Sequence, residues 1–163
     1  MGLFIIKYGY FINGRVIMKT VRSLLQEKGH DVVVIGPSDS VSDAMQKMTT
    51  NNIGALLVVK DKKLIGILTE RDFSRKYCLL NRSVKDMRVE EIMTRQVAYV
   101  GLDYTNEDCM ALMTEICVRH LPVLDDGNIV GILSIGDLVK DIISQHEFVI
   151  QQLIQYIYDA REI

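Results

Sequence analysis

The sequence predicts a mixed α/β fold (α+β) built from two copies of one β-α-β-β-α unit, with a short helix before them and a long helix after. Three observations carry this. The first is an internal repeat: residues 32–72 and 97–137 align at an offset of 65, which sets Gly66 on Gly131. At that offset Asp43 meets Asp108, Met45 meets Met110, Met48 meets Met113, Asp61 meets Asp126 and Asp72 meets Asp137. The second is that each copy alternates apolar β-branched runs with a helically spaced run, the pattern of strands around a helix. The third is an apolar stripe at spacings of three and four that outruns the second copy. Each copy is too small to bury a core alone, so the two are expected to pack together with pseudo-two-fold symmetry.

The elements follow from local chemistry. A helix is predicted over 20–28, capped by Thr20 and ended by Gly29. A brief strand over 32–35 stops at Gly36-Pro37. Ser38-Asp39-Ser40 opens a helix with Val41, Ala44, Met45 and Met48 on one face, ended by Asn51-Asn52. Strands over 55–59 and 64–68 are joined at Asp61-Lys62-Lys63, and Thr69-Glu70-Arg71-Asp72 starts the next helix. In the second copy a strand is predicted over 97–100 and a helix over 106–116. A hairpin follows around Asp125-Asp126-Gly127-Asn128, and then a helix opened by Ser134-Ile135-Gly136-Asp137. The last stripe runs from Leu138 to Ile157, more than one small domain has core to cover, and is read as packing on a second subunit.

This divides the chain into an atypical extension (1–17), a first repeat unit (18–80), a polar linker (81–88), a second unit (89–143) and a helical tail (144–163). Residues 1–17 are expected to be poorly ordered or added to an edge of the fold. Their apolar run is broken by Lys7, is too short to span a bilayer, and has no small-residue cleavage site.

Composition narrows the functional classes. Of 163 residues, 48% are hydrophobic and 25% charged, an ordinary globular balance. A formal net charge of −2 supplies no field for nucleic acid or an acidic membrane, and the absence of Trp argues against a base-stacking surface. Cys78, Cys109 and Cys117 are an odd set without C-x-x-C spacing, which suggests reduced thiols in a cytoplasm. All three are read as buried small hydrophobes, with Cys109 and Cys117 on one helix roughly 12 Å apart in rise. His30, His120 and His146 make no metal-ligand spacing, and no P-loop or Rossmann motif is present.

The doubled Thr69-x-x-Asp72 and Ser134-x-x-Asp137 remain. Taken singly, each is a helix cap. A capping hydroxyl, however, sits beside free amides at the positive end of a helix, where phosphate is stabilised. An ionised Asp one turn in suits the two hydroxyls of a ribose. Arg71, and the Arg119-His120 pair before the Leu121-Pro122-Val123 strand, add positive charge, and Gly54 allows close backbone approach. Carboxylate, hydroxyl, helix end and cation together describe a nucleotide site and not a catalytic one. The two copies differ here, so two clefts of unequal affinity are expected.

Those motifs resemble a tandem pair of CBS domains, named after cystathionine β-synthase. The match is carried by residues 53–72 and 118–137, with their Gly-Ile-Leu-[Thr/Ser]-x-x-Asp ends, and extends over about 20–143. The resemblance implies two sheets packed face to face, with clefts between the repeats that take adenine nucleotides: AMP first, with ADP, ATP, NAD or S-adenosylmethionine as alternatives. It implies ribose contacts from Asp72 and Asp137, and hydroxyl contacts from Thr69 and Ser134. Adenine or phosphate would be held by Ile53, Gly54 and Ala55 in one copy and by Val118, Arg119 and His120 in the other. Asp39 and Ala44 are implied beside Asp137, and Tyr104 and Cys109 beside Asp72. Gly136 stands where some copies carry a polar residue. The resulting expectation is a cytoplasmic, non-enzymatic ligand sensor, a homodimer that signals to an unknown protein partner, with no metal and no catalytic cofactor. The other expectations are a structural homodimerisation module and a nucleotide-acting enzyme using His120.

Overall fold

A computed structural model describes residues 5–6, 9–12, 15–17, 19–80 and 83–159. The chain forms two compact units. One comprises residues 1–28, 102–121 and 133–163, the other residues 29–101 and 122–132.

In the second of these, β4 (Val34–Ile35) lies parallel to β5 (Ala55–Lys60), which pairs antiparallel with β6 (Lys63–Thr69), in the order β4-β5-β6. The parallel β4-β5 pair requires a crossover, supplied by α2 (Val41–Asn51). Both faces of the sheet are covered, so Leu56, Leu57 and Val58 are all buried and β5 reads as a continuous apolar run. Alternation sorts them. Leu56, Val58 and Leu68 join Val41, Ala44 and Met48 of α2 and Val89 and Ile92 of α4 (Val89–Ile92). Ala55, Leu57 and Ile67 face the other way, against Val32, Val97 and Ile132. Gly66 is needed for close approach: a Cβ there would lie 2.6 Å from Met93 Sδ and 3.1 Å from the Thr94 carbonyl. The Thr94 strand bridge to Ile67 runs past that point.

In the other unit α1 (Val21–Lys28), α5 (Asn106–Glu115) and α6 (Ile135–Asp159) bury Val21, Leu25, Cys109, Met113 and Leu138. Thr20 bridges to Thr105, and the Val21 amide donates to the Tyr104 carbonyl. The Thr20 hydroxyl, just before α1, lies 3.4 Å from that of Ser23. The described residues before 18 form an antiparallel meander of β1 (Ile5–Ile6), β2 (Gly9–Ile12) and β3 (Arg15–Ile17), rather than extending another described sheet. The remaining residues of 1–17 lie outside the described set, as do Asn81 and Arg82 of the predicted linker.

The hairpin of β7 (His120–Asp125) and β8 (Asn128–Ser134) turns at Asp126 and Gly127, both at positive φ, as do Asp61 and Lys62 between β5 and β6. Two successive positive-φ residues are the geometry whose twist matches flanking strands. The strand predicted over 97–100 contracts to one bridge, Val100 to Val123, which sits at the repeat offset from the Ile35–Val58 pair of β4 and β5. The Cys109–Cys117 helix is also shorter than predicted. It ends at Glu115, and Cys117 stands beyond it at φ 55°, exposed rather than buried.

Candidate functional site

Each repeat ends its hairpin by closing the next helix with the same four-atom arrangement. At the start of α3 (Glu70–Leu80), Asp72 Oδ2 accepts from the Thr69 amide at 3.0 Å and from its hydroxyl at 2.6 Å. The Asp72 amide returns a bond to the Thr69 hydroxyl at 3.2 Å. At the start of α6, Asp137 Oδ2 accepts from the Ser134 amide and hydroxyl, both at 2.7 Å, and the Asp137 amide returns a bond at 3.3 Å. These are reciprocal caps, with Asp in the place Glu usually takes.

The backbone before each hairpin is tied to the same spot. The Glu70 amide donates to the Gly54 carbonyl, and at the repeat offset the Ile135 amide donates to the Arg119 carbonyl. The Ile53 amide donates to Met48, and the Val118 amide to Met113, closing the preceding helices in the manner of a Schellman turn. Ala55 pairs with Thr69 in register. The structure therefore gathers Ile53, Gly54, Ala55, Thr69 and Asp72 in one unit, and Val118, Arg119, Ser134 and Asp137 in the other.

The two carboxylates differ in what holds their remaining capacity. Asp72 Oδ1 accepts from the Thr94 hydroxyl at 2.8 Å, with Lys76 at 3.7 Å. Asp137 Oδ2 is met by the Lys28 ammonium at 2.6 Å. Burial pushes the Asp137 carboxyl up, but the Lys28 ammonium and the Ser134 amide and hydroxyl outweigh it and hold it below 3.8. Asp137 is therefore ionised at neutral pH, the state in which it is a hydrogen-bond acceptor only.

Of the other predicted residues, Arg71 and His120 are half-buried, while Arg119 and Gly136 are exposed. A Cβ on Gly136 would meet only Ser134 Oγ at 3.6 Å, so the space beside it is open. Tyr104 is 46% exposed. Asp39 is half-buried and accepts from the Gly36 amide at 2.9 Å. Ala44 and Cys109 are wholly buried. Desolvation, with Asp108 and Glu107 nearby, pushes the Cys109 thiol up to about 11, the opposite of an activated nucleophile. Among the described residues no cluster of His, Cys, Asp and Glu could hold a metal ion, and no helix is long and apolar enough to cross a membrane.

A feature of the site was not predicted from the sequence. A cavity of about 700 Å³ lies between α1 and α6, lined by Leu24, Glu27, Lys28, Leu133, Asp137 and Lys140 among others. Beneath it Lys19 and Asp141, each side chain 5% exposed, pair at 3.0 Å. Asn106 and Gln145 each donate to Asp141 Oδ2 at 2.7 Å. The Lys28–Asp137 and Lys19–Asp141 partners are 109 and 122 residues apart, so no local pattern announces them.

The family model for the CBS domain matches residues 21–78 and again residues 89–144. A CBS domain-containing protein of Arabidopsis thaliana, CBSX3 (mitochondrial), is 40% identical over 124 residues, which are 73% of this chain and 60% of that protein. The chain thus spans less than two thirds of that relative's length. The crystal structure of the CBS domain NE2398 is 75% identical, with a TM-score of 0.76, and covers 77% of this chain and 98% of its own. The CBS domain pair of protein MJ0100, solved in complex with 5′-methylthioadenosine and S-adenosyl-L-methionine, is 25% identical with a TM-score of 0.70. It covers 78% of this chain and 98% of its own. Two matched repeats, ending in twin Thr/Ser-x-x-Asp caps, place this chain in the CBS-domain family as a tandem pair.

Proposed function

We propose that this chain is a regulatory sensor that binds an adenine nucleotide, with AMP the first candidate and ADP, ATP or NAD the alternatives. It would act as a cytoplasmic homodimer and pass a ligand-dependent change to a protein partner, without catalysing a reaction. The observation that carries the reading is the pair of carboxylates, Asp72 and Asp137, each oriented by its own Thr or Ser at a helix start. An aimed, acceptor-only group beside helix-terminal amides suits the ribose and phosphate of one nucleotide. The adenosine-containing ligands of the MJ0100 domain pair support the same ligand class. In this reading Lys28 leaves Asp137 for the ligand's phosphate, and the Asp72 site, held by the Thr94 hydroxyl with Lys76 farther off at 3.7 Å, binds with different affinity.

Calorimetric titration of the purified chain with AMP, ADP, ATP, NAD and S-adenosylmethionine tests this. Asp137→Ala should weaken binding by about 1.5–3 kcal/mol, the worth of a hydrogen bond to a charged group. Equal affinity in that variant would sink the ribose role. The second reading is a structural module, and the reciprocal caps favour it because they engage the same atoms without any ligand. There, Asp→Ala would lower stability by about 1 kcal/mol and no nucleotide would raise the melting temperature.

A further inference from the structure

Helix α6 continues well past its last buried residue, Asp141, and its C-terminal half carries an apolar seam in water. Ile143, His146, Ile150, Leu153 and Ile157 follow each other at alternating spacings of three and four. That is a heptad register with Ile143, Ile150 and Ile157 at a, and His146 and Leu153 at d. Ile143, Ile150, Leu153 and Ile157 are each between 52% and 57% exposed. Ile154 and Tyr156 flank the seam and are exposed as well.

We propose that this seam is a parallel two-stranded coiled-coil interface with a second copy of this chain. The proposal rests on the homodimer part of the functional reading and gives it a location; it requires no nucleotide. Three considerations choose this occupant. Ile at a with Leu at d is the side-chain arrangement that favours two parallel strands. A parallel pair about a two-fold axis sets each seam residue against its own mate, so one sequence supplies both faces. The area is also sufficient. Burying the exposed parts of Ile143, Ile150, Leu153, Ile154 and Ile157 removes roughly 500 Å² per copy, about 1,000 Å² in all, which reaches the threshold for a specific interface. His146 is the polar member of the seam, and a polar seam residue fixes register at some expense of affinity.

The test is the mass of the full chain in solution, by sedimentation equilibrium at neutral pH, for wild type, Ile150→Glu, Leu153→Glu and His146→Leu. Both positions changed to Glu are exposed, so the fold should persist, as circular dichroism would verify. The expected result is a wild-type dimer whose dissociation constant rises at least about a hundredfold in each Glu variant, since a carboxylate would be buried without a partner. His146→Leu should tighten association. A monomeric wild type overturns the seam and the homodimer together. A dimer unaffected by either Glu variant overturns the seam but leaves the homodimer standing on another surface. Nucleotide titration of the Glu variants reads the ligand sites separately.

Discussion

Single residues at matching repeat positions carry matching backbone duties. Asn52 and Cys117 both close a helix at positive φ, 52° and 55°. Asn tolerates that region through its short polar side chain, while Cys has no such compensation. The exposed Cys117 Sγ reaches the Thr114 carbonyl at 3.7 Å. Cys117→Asn should therefore stabilise the chain by about 0.5 kcal/mol, read as a higher urea midpoint at unchanged slope. Unchanged or lower stability would mean that the Cys117 side chain contributes more than its turn costs. The same logic separates Cys109 from Cys117. The former is a buried apolar group with a raised thiol pKa, the latter a turn residue, although the sequence offers the same side chain at both.

Among elements, the first hairpin shows how a glycine can be structural within a motif that reads as functional. Gly66 lies in the Gly-Ile-Leu segment leading to Thr69, and the Met93-Thr94 backbone crosses it. Gly66→Ala would push against Met93 Sδ and the Thr94 carbonyl, and Thr94 also donates to Asp72. The expected loss is about 1–3 kcal/mol, typical of overpacking, checked by thermal unfolding. A loss smaller than about 0.5 kcal/mol would show that Met93 can move aside freely. Such elements were legible where their cause was local. Ser40 and Thr105 cap α2 and α5 through Asp43 and Asp108, and the twin turns at Asp61 and Asp126 need only their own residues. The strand over 97–100 was overread because apolar β-branched residues announce burial, whereas a ladder also needs a partner over its whole length. Only Val100 finds one.

At the scale of the molecule, the interactions that the sequence concealed are the long-range ionic ones, and they set its pH response. Burial alone would pull the Lys19 ammonium down, but hydrogen bonds to Glu27 and Asp141 and their charges raise it above 10.5. A raised lysine stabilises the fold below its unfolded value, and that contribution is lost as pH climbs through the folded value. Asp137 runs the other way. Its carboxyl is lowered, so its contribution is present above 3.8 and is lost as pH falls through the folded value. These two groups therefore give stability an acid limb below 3.8 and an alkaline limb above 10.5. The acid limb is shared with Asp108, which the Thr105 amide and hydroxyl also lower, so the Asp137 part has to be isolated by difference. Lys28→Met supplies that difference. The Lys28–Asp137 ion pair favours the fold while Asp137 is ionised, so the wild type should exceed the variant in urea midpoint at pH 6. The gap should narrow as pH falls from 3.8 through the lowered folded value of Asp137, where the carboxyl takes up its proton. A gap that persists unchanged into acid would assign the effect of Lys28 to interactions other than the Asp137 ion pair. The carboxylate would then be held by Ser134 alone and open to a ligand without displacement of a cation.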